Sequence, residues 1–223
     1  MVNINGKTIA DALTDGMNNG LQWLAPFISK DNLPSDVFCN IDLVAFEPTV
    51  NRKNIPGNAK FLPYVPHKIT YVTLNRGEFA ISGKFSGCLM GAYCENGKYH
   101  VCHIATGNGA GDTCKNAFTD KAADEKIKFL PSMIIGEDKS GVKYYDKIKE
   151  ICEKYGYTFN QFDDVYGIIT SEGELYSFIT AKNGEYYYVM AWVEWKLGKK
   201  DQVQILDRGA IKFEDLLPFI FQK

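Results

Sequence analysis

Residues 86–103 restrict the fold more tightly than any other stretch of the chain. They read Ser-Gly-Cys-Leu-Met-Gly-Ala-Tyr-Cys-Glu-Asn-Gly-Lys-Tyr-His-Val-Cys-His, two short apolar runs around Asn96-Gly97. Asn and Gly both tolerate positive φ, so this dipeptide predicts a two-residue turn closing an antiparallel hairpin. The register follows. Glu95 faces Lys98, Cys94 faces Tyr99, Met90 faces His103 and Cys88 faces Ala105. Side chains alternate across a strand. Cys88, Met90, Ala92 and Cys94 therefore share a face with Tyr99, Val101, His103 and Ala105, while His100 and Cys102 point the other way. Cys88 and His103 become diagonal neighbours on one face, about 7–8 Å apart at Cα and nearer at Cβ. A thiol beside an imidazole is the pairing that cysteine nucleophile chemistry requires.

The chain has 223 residues, of which 45% are hydrophobic and 13% aromatic, enough to build a core without metal or disulfide help. No repeat, low-complexity tract or composition break divides it, so one catalytic domain over residues 1–223 is expected. The net charge of −2 gives no support for a nucleic-acid or anionic-membrane surface. No apolar run approaches the length of a transmembrane helix. The start, Met-Val-Asn-Ile-Asn-Gly-Lys, lacks a basic segment followed by an apolar one, so no classical signal peptide is expected. Six cysteines, Cys39, Cys88, Cys94, Cys102, Cys114 and Cys152, are spread thinly, which fits reduced thiols better than a disulfide framework. Cys94 and Cys102 point to opposite faces of the hairpin, which argues against a bridge.

Elsewhere the pattern alternates between strands and a few helices. Ile9, Leu13 and Met17 predict a helix over 8–19. Asp36–Phe46 reads as a strand, and 47–67, with four prolines, as a long irregular rim. Lys68–Leu74 and Glu78–Ser82 read as strands ahead of the hairpin. Asp112 or Thr113 is expected to cap a helix running to about Asp124. A firmer helix is capped by Ser140, with a stripe of Val142, Tyr145, Ile148, Ile151 or Cys152, and Tyr155 and a stop at Gly156. The last third predicts strands at Val165–Thr170, Glu174–Ala181, Glu185–Lys196 and Gln202–Leu206, a second hairpin at Asn183-Gly184, and a terminal helix over Phe213–Phe219. Glu185–Lys196 is apolar on both faces and is expected to be a central strand. The expected class is α+β, a mostly antiparallel sheet or sandwich core with helices packed outside.

Cys88 with His103 is the leading constellation. The imidazole accepts the thiol proton and supports the thiolate. Gly87, lacking Cβ, lets a substrate carbonyl approach the backbone. The amides of Cys88 and of Ser86 or Gly87 could then hold an oxyanion. The bland reading makes Cys88 a buried core thiol and His103 its polar neighbour. Cys94, His100, Cys102 and His103 are zinc ligands by type, but the register splits them between two faces, so no metal is expected. Gly107-x-Gly109-x-Gly111 lacks the dinucleotide spacing and reads as a loop at the edge of the site, leaving no cofactor to propose. The aromatic run Tyr186–Trp195 reads as core packing rather than a ligand face.

Phe85-Ser86-Gly87-Cys88, with His103 lying 15 residues beyond Cys88, resembles the catalytic segment of the cytotoxic necrotizing factor and Burkholderia lethal factor group of glutamine deamidases. The likeness rests on about twenty residues. It implies a sheet core with helices outside, and hydrolysis of one glutamine side-chain amide in a host protein, a GTPase or a translation factor for example. It implies a bacterial toxin or effector, made in the bacterial cytoplasm and delivered to host cytosol, here expected as a monomer. In that group a backbone carbonyl commonly orients the imidazole. Ile81, Ser82 or the 47–67 segment could supply it here, and Asn40, Asp42, Asn108 or Asp112 are the side-chain alternatives. A cysteine protease or transglutaminase using the same pair, and a non-enzymatic binding module, are the rival readings.

Overall fold

A computed structural model describes residues 2–24, 27–29, 37–43, 46–48, 55–83, 85–106, 111–132, 144–160, 164–197 and 203–204. The chain opens on a small hairpin of β1 (Asn3–Ile4) and β2 (Lys7–Thr8). Its turn is Asn5-Gly6, both at positive φ (51° and 83°). Helix α1 (Ile9–Asn19) follows immediately. Thr8 caps it, accepting the Asp11 amide at 3.1 Å and donating to the Asp11 carboxylate at 2.7 Å. Gly20, at φ 71°, ends the helix by donating its N–H to the Gly16 carbonyl. Ile9, Leu13 and Met17 are all buried, so this amphipathic reading holds.

Next come β3 (Phe27–Ser29), β4 (Phe38–Asn40), a 3-10 turn (Ile41–Leu43), β5 (Phe46–Pro48), β6 (Ala59–Leu62), β7 (Ile69–Leu74) and β8 (Phe79–Gly83). The single strand expected over 36–46 is broken. Asn40 Oδ1 accepts the Asp42 amide at 3.0 Å, and this side-chain turn diverts the backbone from the ladder. The supposedly irregular 47–67 segment contains β6, which pairs in parallel with β8. The central hairpin is β9 (Leu89–Glu95) and β10 (Lys98–Ile104), with Asn96 and Gly97 at φ 53° and 71°. Its register is the one the Asn-Gly turn predicts, from Lys98↔Glu95 through His103↔Met90 to Ile104↔Leu89.

Helix α2 (Gly111–Asp120) stops four residues before the expected Asp124 and gives way to β11 (Glu125–Phe129). Nothing in the sequence reading anticipated β11, although Lys126-Ile127-Lys128-Phe129 carries the period of two that betrays a strand. Helix α3 (Tyr144–Tyr155) ends at Gly156, φ 74°, as expected. Its expected cap Ser140 lies outside the described residues. The last strands are β12 (Val165–Thr170), β13 (Glu174–Asn183), β14 (Tyr186–Leu197) and β15 (Val203–Gln204). The β13–β14 loop is Gly184-Glu185, one residue later than Asn183-Gly184, and a bulge between Ile179 and Thr180 shifts the register once more. The helix expected over Phe213–Phe219 lies outside the described residues.

The larger strands form two sheets. One has the order β11-β9-β10-β7-β4, the other β15-β14-β13-β12-β8-β6. All neighbours are antiparallel except β4 with β7 and β6 with β8. The protein is thus α+β with a mostly antiparallel core. Strand β14 lies between β13, which flanks it fully, and β15, which among the described residues pairs with Lys196 and Leu197. Tyr187 and Trp192 pack against the core, whereas Tyr186 is exposed. Tyr188 meets Tyr157 edge-on with 5.5 Å between ring centroids, and Val189 crowds Gly16 of α1 so closely that a Cβ there would lie 3.0 Å from it.

The two sheets pack face to face. Met90, Ala92, Val101 and Val72 of the first sheet share one apolar cluster with Ala80, Val165, Ile169 and Ile179, which the register places on the same face of the second sheet as Ser82 and Gly167. Gly167 of β12 has no Cβ because one would lie 2.7 Å from the Met90 sulfur. The opposite face of β9 and β10 buries Leu89, Tyr93, Cys102 and Ile104 against Cys114 and Phe118 of α2. Cys88 and His103 therefore lie on the inter-sheet side, and His100 on the α2 side.

Candidate active site

His103 is 1% exposed and Cys88 5% exposed, at the end of the inter-sheet core where the β9–β10 ladder stops. Strand β8 of the second sheet supplies the group that orients the imidazole. Ser82 Oγ lies 2.7 Å from His103 Nδ1 and donates to the Leu62 carbonyl of β6, also at 2.7 Å. A hydroxyl has one proton. The Leu62 carbonyl can only accept, so that proton goes to Leu62 and His103 Nδ1–H donates to Ser82 Oγ. The chain Nδ1–H to Ser82 to Leu62 thereby fixes the tautomer, and Nε2 carries the lone pair. Nε2 is buried and has no hydrogen-bond partner. A buried acceptor left open in this way costs stability and is found where a site reserves it for another atom.

Aromatic rings hold the imidazole in place. Phe85, fully buried, stacks on it with centroids 4.5 Å apart and planes 12° apart. Tyr64 leans against it at 5.6 Å and 55°. Burial pushes the His103 pKa down to about 3, so the resting imidazole is neutral at physiological pH. This differs from the expected thiolate–imidazolium pair: a charge in this apolar shell has no partner, and the proton stays off the ring.

Cys88 Sγ is held by the segment just after β10. The Thr106 amide donates to the sulfur at 3.5 Å, and the thiol faces the Thr106 carbonyl at 3.9 Å. Thr106 Oγ1 also donates to the Gly87 carbonyl, tying the Ser86-Gly87-Cys88 bend to the end of β10. Ser86 and Gly87 are exposed at the mouth of the site. Among the described residues, a Cβ on Gly87 would meet only Thr106 Oγ1, at 3.8 Å.

The remaining candidates separate from the pair. His100 stacks on Tyr93 (4.8 Å, 27°) on the α2 side and lies 3.0 Å from Thr73 Oγ1, with its pKa lowered chiefly by burial. Asp42 accepts the Thr73 amide at 3.2 Å, on the strand that flanks His100, and Asn40 closes its own turn. Asn108 and the Asp112 side chain lie outside the described residues. Cys94 and Cys102 share no face, and among the described residues no group of three or more His, Cys, Asp or Glu could hold a metal. All six cysteines are free. No helix among the described residues is long and apolar enough to cross a membrane.

Ser82 and Thr106 are the site residues that sequence reasoning missed in these roles. Ser82 was named for its backbone carbonyl, whereas its side chain makes the contact. The available signal was Phe79-Ala80-Ile81-Ser82, an apolar strand ending in a hydroxyl. Comparison of the chain with protein-family models, with curated proteins and with solved structures gives no match.

Proposed function

We propose that this protein is a cysteine-dependent glutamine deamidase acting on a protein substrate. The observation that supports it best is the lone pair of His103 Nε2. It is buried, held in one tautomer by Ser82, unpartnered, and on the face of the hairpin that carries Cys88. A base for a thiol needs that arrangement. In the proposed step the Cys88 sulfur leaves its contact with Thr106, gives its proton to Nε2 and adds to the amide carbon. The Cys88 amide, with that of Ser86 or Gly87 at the exposed bend, is the proposed donor set for the developing negative charge. His103 returns the proton to the departing nitrogen, ammonia leaves, and a thioester remains. Water, deprotonated at Nε2, hydrolyses it to glutamate. With an amine in place of water the same thioester gives transglutamination.

The burial of both residues favours a side-chain amide over a backbone amide. A carboxamide at the end of a flexible stem can enter a narrow opening, whereas a peptide bond brings chain on both sides. The resemblance of Phe85–Cys88 and His103 to the deamidase toxins extends the reading to a host protein and to delivery as an effector.

The test uses a glutamine-containing peptide with hydroxylamine as the acceptor. The expected products are peptide hydroxamate and, without hydroxylamine, ammonia with uncleaved peptide. Cys88→Ser and His103→Ala abolish both, while His100→Ala, on the opposite face, retains them. Peptide cleavage would establish the protease rival. Equal loss in His100→Ala and His103→Ala would remove the basis for the pair.

A further inference from the structure

We infer that Tyr64 is a hinged aromatic cap that sets what reaches the Cys88–His103 pair, admitting a planar primary carboxamide and stacking upon it. This rests on reading Cys88 and His103 as nucleophile and base. The starting observation is a mismatch in burial. Tyr64 is 45% exposed, among the most exposed large apolar side chains described, yet its ring lies 5.6 Å from that of a histidine exposed by only 1%. The other approaches to the imidazole are closed from inside. Phe85 covers one face and Ser82 occupies the Nδ1 edge. Among the described residues, Tyr64 is therefore the member of this shell that stands between the imidazole and solvent. It also lies near enough to Cys88 and Cys114 for their charges to disfavour its own ionisation, after burial as the larger cause.

The backbone beneath Tyr64 is fixed at both ends. The Pro63 carbonyl accepts Thr70 Oγ1 at 2.7 Å, and the Val65 carbonyl accepts the Lys68 amide at 3.2 Å. Pro63 and Pro66 further restrict φ on either side. Opening is thus a rotation of the side chain and not of the loop. Exposed side chains change rotamer in picoseconds to nanoseconds, far faster than chemistry. With the ring swung out, the face of His103 and the path to Cys88 are uncovered. With the ring back, a flat carboxamide is covered by an aromatic surface and shielded from water, which favours charge stabilisation in the site.

The test separates the cap from the chemistry. Alkylation of Cys88 is followed by mass mapping with iodoacetamide and with a bulky fluorescein maleimide, in wild type, Tyr64→Ala and Tyr64→Phe. An aromatic contact of this kind is worth about 0.5–1.5 kcal/mol, which favours the closed rotamer by about 2- to 12-fold. Tyr64→Ala is expected to raise maleimide labelling by about that factor and iodoacetamide labelling by less. Tyr64→Phe keeps the ring and stays at the wild-type ratio. In the peptide assay Tyr64→Ala raises KM more than it lowers kcat. An unchanged maleimide-to-iodoacetamide ratio in Tyr64→Ala overturns the cap. If labelling responds as described while wild type makes no hydroxamate, the cap stands as the gate of a reactive thiol and the deamidase reading falls.

Discussion

Ser82→Ala probes the site at the bond that joins its two sheets. The substitution removes a hydroxyl that accepts from His103 Nδ1 and donates to Leu62, each at 2.7 Å, at a residue only 3% exposed. No water replaces it in so closed a place, so both partners are left unsatisfied. An orphaned buried polar group costs about 1–3 kcal/mol, giving roughly 2–4 kcal/mol for the two after partial relaxation. For a domain of this size, the melting midpoint falls by about 2–4 °C for each kcal/mol, or about 5–15 °C altogether. The chemical effect is separate. Without an acceptor at Nδ1 the ring samples both tautomers and other orientations. Losing a hydrogen bond that orients a functional imidazole typically costs about 10- to 100-fold. Differential scanning calorimetry measures the first effect, and hydroxamate formation at a temperature where the variant is folded measures the second. A lowered midpoint with unchanged activity would refute the tautomer argument. An unchanged midpoint would refute the buried relay itself.

Two further outcomes follow from the same geometry. His103 has its pKa pushed down to about 3 in the folded chain, below the ordinary value of 6.5. Between these values the unfolded state binds a proton that the folded state does not, so stability is full above pH 6.5 and declines as pH falls toward 3, by about 1.4 kcal/mol per unit at most. Urea titrations across this range show the loss, and in His103→Gln the slope is expected to flatten; an identical slope would mean that other groups cause it. Gly87→Ala is expected to leave the fold intact, because among the described residues the added Cβ meets only Thr106 Oγ1, at 3.8 Å. It narrows the mouth over the Cys88 backbone, so KM for the glutamine peptide rises while the melting midpoint stays put.

The local part of this protein is written in the sequence. Asn96-Gly97 alone determines the hairpin register, because two residues that accept positive φ close a turn of fixed length and the period of two then assigns every side chain to a face. That sufficed to put Cys88 and His103 on one side and His100 on the other. Tertiary structure decided what those positions mean. Ser82 is 21 residues from His103 and belongs to a different sheet, and the Leu62 carbonyl that directs its proton comes from a stretch dense in proline. Tyr64 reaches the imidazole from the same stretch. Sequence pattern reports the spacing along one strand. Burial, which removed the charge from His103 and left Nε2 open, depends on which other strands arrive to enclose it.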